Sequence, residues 1–374
     1  MSDYYIEPMT WSFVARSSVG IVTIVDLKNY GNRLQNYAVH RLFDDRGIEP
    51  TTIELSQNPA RSRMRDIYYR SAKDFKDAGI VRGRFHAFAQ FAREMTPYVA
   101  MTPEAFEASR RDFDFFAVGS DQVWNPNDRR LGGSSTGIQC LASVERDKKI
   151  SLAPSFGLSQ LPEAWQARYA GWLADFERLS VREAEGASLI RDLTGKDATV
   201  LPDPTMAVDP ADWRAIASHR TTPKSPYIVT LFLGGTTEER RQRIAQLTSS
   251  SQLELIDLSN PRGQIARQTG PREFISLVDN ARLVMTDSFH ASVFAFMLNT
   301  ALSIFPRADG DAMSSRITTF AESFGLKDRV HKDEEKRLDP SVLAFDYAEG
   351  LDTLSGRRRT FLEYLDSEIG RVAS

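Results

Sequence analysis

Residues 20–47 read GIVTIVDLKNYGNRLQNYAVHRLFDDRG, and the two ends of this stretch obey different periodicities. GIVTIVD is short, β-branched and nearly all apolar, as expected of a strand buried on both faces of a parallel sheet. RLQNYAVHRLFDDRG instead spaces Leu34, Tyr37, Ala38 and Leu42 as one helical face, and Gly47 ends it. With the turn-rich LKNYGN between them the two make a βα unit, and IEPTTIEL supplies the next strand.

The alternation continues outward. FDFFAVGSD, KKISLAPSFG, ERLSVRE followed by the helical AEGASLIRDLTG, and ATVLPDPTM complete a first half. DPADW and HRTTPKSP read as a linker, after which YIVTLFLGG, TEERRQRIAQLTSS, LELIDLS, PREFISLVDNA, RLVMTD, FHASVFAFMLN and TALSIF restart the strand–helix pattern. Repetition of this kind specifies an α/β protein with a doubly wound sheet in each half. Residues 57–112 read as a solvated helical excursion, in preference to a substrate-facing basic surface: Arg61, Arg63, Arg65, Arg70, Lys73, Lys76, Arg82 and Arg84 are offset by only Asp66, Asp74 and Asp77. Phe85, Phe88 and Phe91 recur every third residue there, placing His86 on a helix beside the core. At the end of the chain Phe361, Leu362, Leu365 and Ile369 form the apolar stripe of a terminal helix.

A length of 374 residues exceeds what one core usually serves, so two domains are expected. Hydrophobic residues at 41% exclude global disorder. A net charge of -3 gives no excess of cations to bind a phosphate backbone, so nucleic acid is not expected as a partner. The one cysteine, Cys140, cannot pair within the chain and reads as a small buried residue. Neither a basic-then-apolar leader at residues 1–20 nor a run of about eighteen apolar residues is present, so a cytoplasmic protein without an integral membrane segment is expected.

Ligands of open α/β sheets bind beyond the carboxyl ends of the strands, which singles out the polar residues there. In TDSFH, Asp287, Ser288 and His290 open an apolar helix whose free N–H groups favour an anion; the competing reading is a helix cap with His290 half buried. Arg182 ends a buried strand and needs a carboxylate such as Glu183, or an anionic ligand. Arg316, behind two serines, is either a phosphate clamp or a first-turn surface residue. Asn29, Asn32 and Gln35 flank the first loop; Asp121 either orients a hydroxyl or ends its strand, and Trp124 is either a sugar platform or a loop anchor. No phosphate-binding glycine motif, metal-spaced Cys/His cluster or GxSxG elbow occurs, and no metal site is expected.

NYGNRLQNYA, FAVGSDQVWNP, APSFG, LSVREAEG, PDPTM, VMTDSFHASVFAFMLN and SSRI, in that order, resemble the polysaccharide pyruvyl transferase family over roughly residues 20 to 330. The resemblance implies two facing Rossmann-like domains in a GT-B-like arrangement, with residues 1–208 and 209–345 enclosing a cleft and a C-terminal helix, 346–374, returning to the first domain. It also implies transfer of a pyruvyl group from phosphoenolpyruvate to two hydroxyls of a glycan or lipid-linked sugar, forming a cyclic ketal and releasing phosphate, with no cofactor and at most peripheral membrane contact. On this reading His290 and Asp121 are the catalytic pair. Arg182, Ser288, Arg316 and Ser155 bind the donor, while Asn29, Asn32, Gln35, Ser120, Gln122 and Trp124 face the acceptor. A GT-B glycosyltransferase using a nucleotide sugar is the alternative, and a non-catalytic anion or glycan binder a second.

Overall fold

A computed structural model describes residues 16–59, 78–127, 136–308, 313–331 and 340–373. The first sheet is built from β1 (Ser18–Val22), α1 (Tyr30–Asp44), β2 (Glu49–Leu55), α2 (Ala78–Met95), β3 (Tyr98–Met101), α3 (Pro103–Ser109), β4 (Phe115–Val118) and β5 (Lys149–Ser151). Its strands are all parallel in the order β3-β2-β1-β4-β5. Gly20 lies at the centre of β1, where a Cβ would sit 2.7 Å from the Phe116 ring of the neighbouring strand. Only glycine lets these two strands pack at that spacing.

Beyond α4 (Glu163–Ala174), β6 (Leu179–Val181), α5 (Ala184–Thr194) and β7 (Ala198–Val200) form a second, two-stranded parallel piece. Side chains join it to β5: the Ser180 amide donates to Ser151 Oγ at 2.7 Å, and the Ser180 hydroxyl donates to the Ser151 carbonyl. Two short helices follow, α6 (Pro204–Ala207) and α7 (Pro210–Ile216). The remaining sheet comprises β8 (Tyr227–Leu231), α8 (Glu238–Ser251), β9 (Glu254–Asp257), α9 (Pro271–Asp279), β10 (Leu283–Thr286), α10 (Phe289–Met297) and β11 (Leu302–Ile304), ordered β11-β10-β8-β9 and parallel. After α11 (Met313–Ser323) the chain ends in α12 (Ala348–Val372).

The result is an α/β, GT-B-like fold with two Rossmann-like sheets. α12 returns to the first half through buried Phe361 and Leu365, through Tyr364, whose hydroxyl donates to the Ser151 carbonyl at 3.2 Å, and through an Arg46–Asp366 ion pair. Strand order reverses between β1 and β4 in one sheet and between β8 and β10 in the other, and such points open crevices beyond the strand ends. The halves share one apolar core. Tyr30 of α1 stacks on Phe274 of α9 at 4.7 Å and donates its hydroxyl to the Thr269 carbonyl, while Trp213 of α7 bridges Tyr37 and Phe294.

Two readings of the chain require correction. The stretch 57–112 is not wholly a helical excursion, because Tyr98–Met101 pairs with β2 as the edge strand β3; an edge strand buried over only half its length shows no distinct apolar run. Arg84 is not solvated either, since its guanidinium covers the Tyr30 ring at 4.7 Å and donates to the Leu258 carbonyl, whereas His86 is exposed. Positions 61, 63, 65, 66, 70, 73, 74 and 76 lie outside the described residues. DPADW is not a linker: Asp209 caps α7 by accepting the Ala211 amide, and Trp213 is fully buried.

Candidate active site

The crevice between the halves is built from the loops that leave β1, β4, β6, β7 and β10. The first is shaped by Asn32 in the opening turn of α1. Its Nδ2 donates to the Ile24 carbonyl (3.0 Å) and to Asp121 Oδ2 (2.8 Å), and its Oδ1 accepts the Asp26 amide (2.8 Å). Asp121 follows β4 with φ of 72°, a left-handed conformation that an L side chain adopts only where its surroundings enforce it. Its Oδ1 takes the Gln122 amide, and its carbonyl takes the Ser155 amide. Burial alone would raise the Asp121 carboxyl, but Arg182, His290, Asn32 and Arg316 outweigh it and hold the group below the usual carboxylate range.

Arg182, at the end of β6, is buried between two carboxylates. Nε donates to Glu183 Oε1 and Nη1 to Asp203 Oδ2, each at 3.0 Å, while Nη2 is buried and makes no hydrogen bond among the described residues. Burial opposes its charge, yet Glu183, Asp203 and Asp121 raise its pKa above the ordinary arginine value. Glu183 is held in turn by the Ser155 hydroxyl at 2.6 Å. Asp203 caps α6: Oδ1 accepts the Thr205 amide (3.0 Å) and hydroxyl (2.8 Å). Burial would raise its carboxyl, but His290, Arg182 and Thr205 carry it well below the usual range.

From the second half come α10 and α11. Ser288 caps α10, accepting the Ala291 amide, while Asp287 accepts the Leu233 (2.6 Å) and Gly234 (2.9 Å) amides and fixes the loop after β8. His290 projects into the crevice with Nε2 at 3.4 Å from Asp203 Oδ2. Against the other edge of its ring lies Gly31, where a Cβ would come within 2.2 Å of Nδ1. Arg316 is buried in the same cluster; burial and the neighbouring Arg182 lower its pKa to about 10, against the pull of Glu183, Asp121 and Asp203. The cavity that Arg182, Glu183, Asp203, Phe289 and Arg316 line is small, ≈ 40 Å³; a larger one of ≈ 370 Å³, lined by Lys28, Arg84, Phe85, Phe88, Phe232 and Leu258 among others, includes no residue of the cluster in its lining.

A family model of the polysaccharide pyruvyl transferases matches residues 29–302, which include every element of this cluster except Arg316. The chain belongs to that family. A search of curated proteins returns no match. Among solved structures, UDP-GlcNAc 2-epimerase from Neisseria meningitidis bound to UDP-GlcNAc is similar at 10% identity, covering 94% of this chain and 100% of that one with a TM-score of 0.45. The ADP-heptose heptosyltransferase II of E. coli is similar at 10% identity, covering 92% and 99%, with a TM-score of 0.37.

The structure gathers Asp121, Asn32, Ser155, Arg182, Ser288, His290 and Arg316 at one place, and corrects several individual roles. Trp124 is no sugar platform: its ring is fully buried against Phe156 and Phe176, and Nε1 donates to the Gln139 carbonyl. Gln35 and Ser120 are also fully buried and face no acceptor. Asn32 and Ser155 are interior residues whose polar atoms are committed to Asp121 and Glu183, so they position other groups. Asn29 caps α1 and Gln122 lies over Gly157; both remain half-buried at the crevice. Cys140 is interior, and burial pushes its thiol up, away from reactivity.

Sequence reading missed Asp203. Its signal was present in Pro202-Asp203-Pro204, a carboxylate between two prolines beyond a strand, but a cap and a site residue look alike until the partners are seen. Among the described residues no helix is long and apolar enough to cross a membrane.

Proposed function

We propose that this chain moves the pyruvyl group of phosphoenolpyruvate onto two hydroxyls of one sugar, closing a cyclic ketal and releasing phosphate. The observation that carries this reading is the convergence of Arg182, whose buried Nη2 has no partner among the described residues, Arg316 and His290 from both halves on one crevice. Phosphoenolpyruvate bears a carboxylate and a phosphate, and two guanidiniums match that pair of anions. The division into residues 1–208, 209–345 and 346–374 is kept as part of this reading.

In this scheme the His290 imidazolium protonates the methylene carbon of the enol while the first sugar hydroxyl adds to the adjacent carbon, its proton passing to Asp121. The bond from that carbon to the phosphate oxygen then breaks, and phosphate leaves with the bonding pair and takes the proton from Asp121. Capture of the resulting oxocarbenium by the second hydroxyl closes the ketal, and the last proton returns to His290. An ionised Asp121 suits both the base and the stabilisation of that cation.

The test supplies candidate free or lipid-linked glycans with phosphoenolpyruvate, measures phosphate, and looks by mass spectrometry for a ketal on the product. Nucleotide sugars serve as the parallel donor. Release of nucleoside diphosphate, with no phosphate from phosphoenolpyruvate, overturns the proposal in favour of glycosyl transfer.

A further inference from the structure

We propose that Asp203 is a positioning residue that keeps the proton of His290 on Nε2, leaving Nδ1 as the working nitrogen, and at the same time turns one donor of Arg182 toward the ligand. The geometry begins with the two prolines. Pro204 has no N–H, so the first amide within reach of a capping carboxylate is that of Thr205, and Asp203 Oδ1 takes both this amide and the Thr205 hydroxyl. With Oδ1 so anchored, Oδ2 faces away from α6, where it meets Arg182 Nη1 at 3.0 Å and His290 Nε2 at 3.4 Å.

An ionised carboxylate only accepts, so this contact, an ion pair short of hydrogen-bond geometry to a buried Nε2, is favourable when Nε2 carries hydrogen. His290 on α10, Arg182 at the end of β6 and the Thr205 amide keep Asp203 ionised against its burial; the other charged groups around it are Glu183 beyond β6, Arg316 on α11, Asp121 beyond β4 and Arg357 of α12. Nδ1 is therefore the nitrogen that exchanges protons, and it lies against Gly31 at the start of α1, where only the absence of a side chain leaves it room. The same oxygen also fixes Arg182. Its Nε is taken by Glu183 and its Nη1 by Asp203, so Nη2 is the donor left for an anion. One carboxylate from the first half thus sets both the acid of the second half and the anion clamp of the first.

The inference deepens the pyruvyl-transfer reading and rests on it for kinetics only, because ring-nitrogen NMR of ¹⁵N-histidine protein, with His290 assigned from His290→Gln, reads the tautomer without turnover. Neutral His290 is expected with hydrogen on Nε2. In Asp203→Asn the amide oxygen replaces Oδ1 on Thr205 and the NH2 group faces Nε2, so the hydrogen should move to Nδ1. With it, kcat should fall by about 10²-fold or more while KM for phosphoenolpyruvate changes less. A wild-type ring carrying hydrogen on Nδ1 overturns the proposal whether or not the variant folds, and so does a variant ring with the wild-type tautomer. Absence of phosphate release by the wild type sinks the pyruvyl-transfer reading and leaves the ring measurement standing.

Discussion

Two places in this molecule bury an arginine beside a histidine, and they differ in what surrounds the pair. On α1, Arg33 and His40 face neutral partners: Arg33 donates to Asn32 Oδ1 and His40 Nε2 bonds Thr52 Oγ1 at 2.7 Å. Burial there wins. It takes Arg33 down to about 10 despite the distant pull of Asp26, Tyr98, Glu54 and Asp121, and with Arg33 it takes His40 down to about 3. In the crevice, Arg182 and His290 meet Asp203 directly, Glu183 also binds Arg182, and the arginine is raised instead. Desolvation alone drives buried cations toward neutrality, so a site that must stay charged has to bring carboxylates from several strand ends to one point.

The largest effect is expected from Arg182→Ala, which leaves Glu183 and Asp203 buried without their cation; urea unfolding should show a loss of about 3–5 kcal/mol, together with loss of phosphate release. Arg182→Ala equal in stability to wild type would erase the distinction between the two pairs. His290→Gln is expected to lower kcat by roughly 10²- to 10⁴-fold in the phosphate-release assay with the urea midpoint almost unchanged, because its ring is at the crevice and not in the core. Gly31→Ala drives a methyl into Nδ1 of the His290 ring. Displacing that ring by an ångström should cost about 10²-fold in kcat, and a crystal structure of the variant should show it shifted.

At neutral pH the smallest and most specific effect belongs to His40, whose influence is confined to acid. Its folded pKa of about 3 lies below the ordinary imidazole value of 6.5, so the unfolded chain binds the extra proton between those values. Its contribution is whole above pH 6.5 and erodes as pH falls toward 3, with a slope of up to about 1.4 kcal/mol per pH unit. His40→Gln should flatten that slope in unfolding titrations and leave kcat untouched. Loss of activity in this variant would place His40 in the mechanism and end the contrast with His290.

Much of the architecture is legible one segment at a time. Buried parallel strands are continuous apolar runs, and β1, β4, β8 and β10 stand out for that reason, as does the apolar stripe of α12. β3 and α7 do not, because β3 is an edge strand buried over only half its length and α7 buries only Trp213. At the site, Arg182 and His290 are readable from their places after strands. Trp124 and Gln35 occupy equally suggestive places in the chain and point inward.

The sequence by itself determined that this is an α/β chain of two strand–helix halves, with anion-seeking residues after the strands, since periodicity and strand-end chemistry are local properties. Which of those residues meet was decided only by tertiary structure. Arg182, Asp203 and His290 lie far apart in the chain, and a carboxylate's partners depend on how two sheets and α10 pack around the first turn of α1. The charge state of a buried group belongs to its surroundings, and residue type alone does not contain it.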